Sequence, residues 1–343
     1  MKTTMKKLGL LSSFTLTGLM VLASCGSTWE GITATKENKA EIGILQFVTH
    51  DALDLARIGF VEALEEAGFV EGENININIQ NPQTNSGALA TMASSLATSA
   101  DLILAIATPA ATAVKSALET EGRQVPLLFT AVTDPVAAQL IESPTKPGGF
   151  VTGTNDMQPI REQIDLFLEL GLVPGVDKIG MIYCNAESNS ITQINIAKAH
   201  AESLGFSVEL TSIPDASTLV TALESLTNRH IKGLYVPTDN VISSNMQTLS
   251  NHMIDHQVLT VVGETSMAEN GGFITLGADY HALGFLTGQM AVEIIEGTHP
   301  QDIASVGASS FEMVINLDVA SAMAFEVPSS LLDEADVLIQ TGQ

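Results

Sequence analysis

Apolar residues in this chain gather in two kinds of run. Short unbroken runs read as strands: EIGILQFV from Glu41, DLILAIA from Asp101, PLLFTA from Pro126, KIGMIYC from Lys178, GLYVP from Gly233 and VLTVVG from Val258. None of them alternates with polar residues. Such strands are buried on both faces, as in parallel sheets covered by helices. NININI, GFVTGT, SVELTSI and GFITLGA supply further strands, and FEMVINL another near the C-terminus. Between strands, apolar residues recur at helical spacing, as with Leu55, Ile58, Val61 and Leu64 before Gly68. The spacing predicts helices over 51–67, 86–96, 109–118, 160–170, 190–204, 216–226, 243–256 and 283–295. PVAAQLI after Asp134 predicts one more, and residues from 320 onward read as helical and acidic.

Each half of the chain thus carries five strands separated by helices. The pattern predicts an α/β protein of two Rossmann-like lobes with parallel sheets joined by a hinge. The first lobe is expected to hold residues 40–154 plus about 278–310. The second is expected to hold 155–277 plus about 311–343.

The first 24 residues break the pattern. Lys2, Lys6 and Lys7 precede an apolar run over 8–21 and then LASC, residues 22–25. This reads as a secretory signal peptide, its apolar run short for a membrane span. The cysteine after small residues resembles the bacterial lipobox. Lipidation of Cys25 would anchor the protein on the extracytoplasmic face of the cell membrane; an uncleaved anchor helix is the alternative. Residues 25–39 read as a polar tether. With Cys25 lipidated, Cys184 has no partner for an intrachain disulfide. At the end of an apolar strand it reads as a buried, inert thiol.

A formal net charge of −25 argues against nucleic acid or an anionic lipid surface as a partner, since both need clustered Lys and Arg. The phosphate-binding loop G-x-x-x-x-G-K-[ST] and the nucleophile elbow G-x-S-x-G are absent. HMIDH places His252 and His256 one helical turn apart, but a third zinc ligand is missing and a solvated helix face explains them. No cofactor or metal is expected, and no catalytic residue.

Ligands of open parallel sheets bind beyond the carboxyl ends of the strands. Polar residues gather there: Gln46 to His50, Thr108, Thr130 to Asp134, Asn155 and Asp156, Asn185 to Asn189, Thr238 to Asn240, Glu264, and Asp279 with Tyr280. Thr108 with Pro109, and Asp134 with Pro135, read as helix starts able to hold an anion. Asp239 and Glu264 could take an ammonium, or cap a helix and face solvent respectively. An anion site in one lobe facing a cation site in the other would suit an amino acid.

GILQFVTHDALD, IATPAA, FTAVTDPV, GGFVTGTNDM, LYVPTDN and VINLDVA, in this order, resemble the substrate-binding lipoproteins of ABC transporters in the tryptophan/tyrosine uptake family. The resemblance implies a type I periplasmic-binding-protein fold with three hinge crossings. It implies that Thr108, Thr130 and Thr133 hold a ligand carboxylate and that Asp239, with Glu264 nearby, holds its ammonium. Gln46, His50, Asn155, Asn189, Asn240 and Tyr280 would line the cleft. The aromatic wall would come from Phe47, His50, Tyr183, Tyr235 or Tyr280. An ABC permease and a separate ATPase would be the partners. A ligand sensor of the same fold feeding a signalling receptor, or an extracellular enzyme, are the competing functions.

Overall fold

The computed structural model describes residues 29–341. The signal peptide and Cys25 lie outside the described residues. The first half forms β1 (Ala40–Gln46), α1 (Asp51–Glu66), β2 (Ile75–Gln80), α2 (Ser86–Ser99), β3 (Leu102–Ile106), α3 (Thr108–Glu121), β4 (Leu127–Val132) and β5 (Val151–Asn155). The second half runs α4 (Ile160–Glu169), β6 (Lys178–Cys184), α5 (Ser188–Ser203), β7 (Ser207–Ile213), α6 (Leu219–Thr227), β8 (Gly233–Val236), α7 (Asn240–Ser243), α8 (Met246–Asp255), β9 (Leu259–Val262), α9 (Thr265–Glu269) and β10 (Ile274–Gly277). The chain ends with α10 (Tyr280–Ile295), β11 (Val306–Gly307), β12 (Glu312–Asn316), α11 (Leu317–Ala322), α12 (Ser329–Glu334) and β13 (Val337–Ile339).

Two sheets result, ordered β11-β5-β4-β3-β1-β2 and β13-β12-β10-β9-β8-β6-β7. Every strand pair is parallel except β10 with β12. The order 2-1-3-4-5 recurs in both halves, so each sheet reverses direction between its first and third strands. The chain passes between sheets three times, at residues 156–159, 278–279 and 308–311.

The central strands β3, β4, β8 and β9 are buried along their whole length, as their unbroken apolar runs require. α10 follows the second crossing yet packs on α1 of the first lobe. Its Gly284 is indispensable there: a Cβ at that position would sit 1.9 Å from the Ala56 carbonyl oxygen.

Three local expectations fail. PVAAQLI makes a run of turns, not a helix, because Gln139 takes a left-handed φ of 58° after a single turn. Asp134 Oδ1 accepts from Val136 and Ala137 N–H, so it closes a turn that never becomes a helix. The acidic tail is not wholly helical: β13 joins the second sheet beside β12. The stretch read as a tether is partly seated. Trp29 Nε1 donates to the Ile294 carbonyl at 3.3 Å, and Ile32 N–H to Ile295 at 3.1 Å. Trp29, Ile32 and Ala34 pack on the first core, since apolar groups interrupt an otherwise polar stretch.

Candidate functional site

The strand ends from both sheets meet at one small cavity of about 20 Å³. Its wall comprises His50, Leu53, Ala131, Thr133, Asp156 and Tyr280, together with Asn189, Thr238, Asp239, Asn240, Ser243 and Glu264. His50 follows β1, while Asn189, Asp239 and Asn240 follow β6 and β8. These loops flank the reversal points of the two sheets, where open α/β sheets hold ligands.

The two lobes touch across this cleft. His50 Nε2 lies 3.2 Å from Asn240 Oδ1. Gln193 Nε2 donates to Thr133 Oγ1 at 3.3 Å, and Asn270 Nδ2 to Asp51 Oδ2 at 2.8 Å. At the hinge, the Tyr280 hydroxyl donates to Asp156 Oδ2 at 2.5 Å, and Ala278 N–H to Gln158 Oε1 at 3.1 Å. Those two bonds tie the first chain crossing to the second.

Three buried polar atoms of the wall have no partner: His50 Nδ1, Asp156 Oδ1 and Asn189 Oδ1. All three are acceptors. Asn240 Nδ2 donates to Glu187, so Asn240 Oδ1 must accept the proton on His50 Nε2. Burial lowers the pKa of His50, so its ring is neutral and Nδ1 is bare. Asn189 Nδ2 donates to the Thr238 carbonyl at 2.9 Å and to Glu187, which turns Oδ1 to the cavity.

Carboxylates dominate the charge. Asp156, Asp239 and Glu264 are each at most 3% exposed, and Glu187 stands just behind the wall at 1%. The wall contains no Lys or Arg. Burial pushes Asp156 up to about 6, against the downward pull of the Tyr280 and Thr133 hydroxyls. Burial also raises Asp239 and Glu264, and burial together with the Asp239 charge raises Glu187. Buried carboxylates left without a cation cost stability, and a cationic group placed among them recovers it.

The residues expected from sequence divide clearly. His50, Thr133, Asn189, Asp239, Asn240, Glu264 and Tyr280 line the cavity. Gln46, Thr108, Thr130 and Asn155 do not. Gln46 donates to Val48 and Asp54 and accepts from Arg57, so it braces the loop that carries His50. Thr130 is bonded to Thr154 inside the first lobe at 3.0 Å. Asn155 pairs in register with Gly307 at the sheet edge. Thr108 is not a side-chain cap either: Ala107 takes the cap position at φ 83°, leaving the Thr108 hydroxyl buried without a partner.

Asp239 takes the helix-cap role given as its alternative, whereas Glu264 is not solvated. Asp239 accepts from Ile242 N–H at 3.0 Å and from Cys184 N–H at 2.5 Å, so each oxygen already has a backbone donor. Glu264 caps α9 through Ser266 N–H at 2.7 Å and is buried, not solvated. Of the aromatic candidates only His50 and Tyr280 reach the cavity. Phe47 and Tyr235 are core residues, and Tyr183 packs on the second core. The Cys184 thiol is buried and its pKa is pushed up to about 12, mainly by burial. Among the described residues no cluster suited to a metal ion occurs. Sequence reasoning named Asp156 among the strand-end polar residues but took only its neighbour Asn155 into the cleft, and it included Glu187 within Asn185 to Asn189 without singling it out. The period-2 geometry of a strand end could have separated the first pair.

Two α/β lobes, three crossings and a polar cavity at the strand reversals define a hinged solute-binding protein of the type I periplasmic class. The family described as ABC transporter substrate binding protein matches residues 41–339, and the chain belongs to that family. It is similar to a tyrosine-binding protein of Clostridioides difficile, at 36% identity over 89% of each chain. Among solved structures it resembles an ABC domain from Streptococcus pneumoniae in complex with L-Trp. That match has 34% identity and a TM-score of 0.81 and covers 88% of this chain and all of the other. It also resembles the ligand-free, open form of a Clostridium difficile substrate-binding protein with adhesive properties, with equal coverage and 35% identity but a TM-score of 0.65. The bonds across the cleft show the two lobes in contact.

Proposed function

We propose that the protein binds an amino acid in this cleft, with an aromatic side chain as in its tyrosine- and L-Trp-binding relatives, and delivers it to an ABC permease driven by a separate ATPase. One observation carries the amino-acid reading. His50 Nδ1, Asp156 Oδ1 and Asn189 Oδ1 are three unpaired acceptors on one cavity wall, and a primary ammonium carries three donors. The surrounding carboxylates favour that charge. The ligand carboxylate falls to the first lobe, where the N-termini of α1 and α3 have no side-chain cap and the Thr108 hydroxyl is unpaired. Tyr280 and His50 supply the aromatic contacts.

A cavity of about 20 Å³ holds one water, so entry of an amino acid requires the lobes to part. Ligand contacts made from both sides then favour reclosure. Lipidation at Cys25 would hold the protein on the extracytoplasmic face of the membrane, within reach of the permease. Among the described residues no helix is long and apolar enough to cross a membrane.

The test is a thermal-shift screen of the twenty amino acids, followed by calorimetry with L-tyrosine, L-tryptophan and L-phenylalanine. Saturable binding of at least one, and much weaker binding of its deaminated analogue, is the expected result. Equal binding of the deaminated analogue would remove the ammonium site. For the anchor, Cys25→Ser protein should fractionate as soluble; retention in the membrane would refute lipidation.

A further inference from the structure

We infer that Glu187 is a positioning residue that sets the cleft's preference for a primary ammonium, by holding the carbonyl oxygens of Asn189 and Asn240 on the cleft side. The inference rests on the ammonium site proposed above and names the group that builds it.

Glu187 does not line the cavity; it is 1% exposed and stands behind the two asparagines. Its Oε2 accepts from Asn189 Nδ2 at 3.3 Å, from Asn240 Nδ2 at 2.5 Å and from Asn240 N–H at 3.3 Å. Its Oε1 accepts from Val241 N–H at 3.1 Å. Although it occupies the N-cap position of α5, it makes no cap bond to that helix and serves the start of α7 instead. All four partners are donors, which calls for acceptor oxygens at this position.

The consequence is orientational. A side-chain amide is nearly symmetric in shape, and only its partners decide which end is oxygen. A carboxylate behind both asparagines takes their N–H groups, so both Oδ1 atoms point the other way. Asn240 Oδ1 then accepts from His50 and thereby keeps His50 Nδ1 bare, and Asn189 Oδ1 stands unpaired. One of the three acceptors assigned to the ammonium, His50 Nδ1, is thus set through Glu187 and Asn240, and a second, Asn189 Oδ1, by Glu187 together with the Thr238 carbonyl. With either amide reversed, an N–H would face the ligand cation.

The test compares L-tyrosine and L-tryptophan with 3-(4-hydroxyphenyl)propanoate, which is tyrosine without its ammonium, by calorimetry. Glu187→Met removes the acceptor at similar volume. Affinity for the amino acids is expected to fall at least about tenfold, with the deaminated acid within about twofold of parent. Glu187→Gln, which can still present one oxygen to both asparagines, should retain most of the preference. Adding Asn189→Asp to Glu187→Met offers oxygen to the cleft in either orientation and should recover part of it, since Asn240 and His50 stay unset. Equal loss for amino acid and deaminated acid, or no rescue by Asn189→Asp, would make Glu187 merely structural and overturn the inference. Parent protein that does not distinguish the two ligands would refute the ammonium site itself. Glu187 is then judged by nuclear magnetic resonance of asparagine-labelled, unliganded protein. The side-chain amide signals of Asn189 and Asn240 are expected to move in Glu187→Met, and unchanged signals would overturn the inference.

Discussion

The two lobes present opposite chemistry to the cleft they share. In the first lobe, α1 begins beside the cavity and α3 just outside its wall, both with no side-chain cap, and their first N–H groups are left to other partners. In the second, α5 likewise lacks a side-chain cap bond, but α7 and α9 are capped by the buried carboxylates of Asp239 and Glu264, and Glu187 at the start of α5 adds a third carboxylate. Both halves share the same strand order, so the difference is not topological. It lies in a few residues just after the strands: Ala107 and His50 on one side, acids on the other. Bare helix starts favour an anion and buried carboxylates a cation. A repeated fold is thereby turned into a polar pair of jaws suited to a zwitterion.

The acid most exposed to a ligand belongs to neither jaw. Asp156 sits in the first chain crossing, with one oxygen held by Tyr280 and the other without a close partner, the Thr133 hydroxyl being a nearby donor that influences it. Asp156→Asn is expected to have the largest effect on binding. Its oxygen can keep the Tyr280 bond, which turns an N–H toward the ligand. Affinity for L-tyrosine or L-tryptophan should fall about a hundredfold, roughly 2.7 kcal/mol. Stability of the unliganded protein at pH 7 should move the other way, rising by an amount on the order of 1–3 kcal/mol as a strained buried charge is removed. Calorimetry and thermal melts separate the two. A loss of both would mean that Asp156 is a structural part of the hinge.

The same residue predicts opposite pH trends. Its folded-state pKa of about 6 lies above the ordinary 3.8. A raised carboxyl stabilises the fold fully below the ordinary value and loses that contribution as pH rises through about 6. Unliganded parent should therefore gain stability between pH 6 and 4 relative to Asp156→Asn. An ammonium beside Asp156 lowers its pKa, so amino-acid binding releases a proton, and affinity should fall up to about tenfold per pH unit below 6. Binding heats measured in two buffers of different ionisation enthalpy test the proton release; identical heats near pH 6 would exclude Asp156 as the linked group.

Much of this was legible in the sequence because buried parallel strands announce themselves. EIGILQFV, DLILAIA and VLTVVG needed no context to be read, and ligand loops follow strands by rule. What was illegible depends on partners far away in the chain. Thr130 and Thr133 are both hydroxyls of one loop, yet Thr130 finds Thr154 in the core while Thr133 faces Gln193 across the cleft. PVAAQLI has helical spacing, and only the left-handed turn at Gln139 stops it. Glu187 stands within NAESNS with no feature that marks it as buried; its burial follows from the packing of α5 against the start of α7.

Asp239 sharpens the contrast between a cap and a contact. Both of its oxygens hold backbone N–H groups, of Ile242 and of Cys184. Asp239→Ala should lower stability by about 1–2 kcal/mol, as a lost cap does. Its effect on amino-acid affinity should be smaller than that of Asp156→Asn. The reverse order, measured by calorimetry on the two variants, would return the ammonium to the second lobe's own acids and weaken the assignment to the hinge.

The smallest expected effect tests the first lobe's half of the contrast. The Thr108 hydroxyl is 3% exposed and has no partner, at the start of a helix whose cap position is held by a strained alanine. A buried hydroxyl without a bond costs free energy, so Thr108→Val, which keeps the volume, should leave the unliganded protein as stable or up to about 1 kcal/mol more stable. Thr108 lies outside the wall of the closed cavity, so it can meet a ligand carboxylate only when the lobes stand further apart. If it does, Thr108→Val weakens L-tyrosine by a few fold and leaves tyramine, which lacks the carboxylate, unchanged. Equal affinities of parent and variant for L-tyrosine would place the carboxylate at the start of α1 alone. The contrast between the lobes would then narrow to a single uncapped helix.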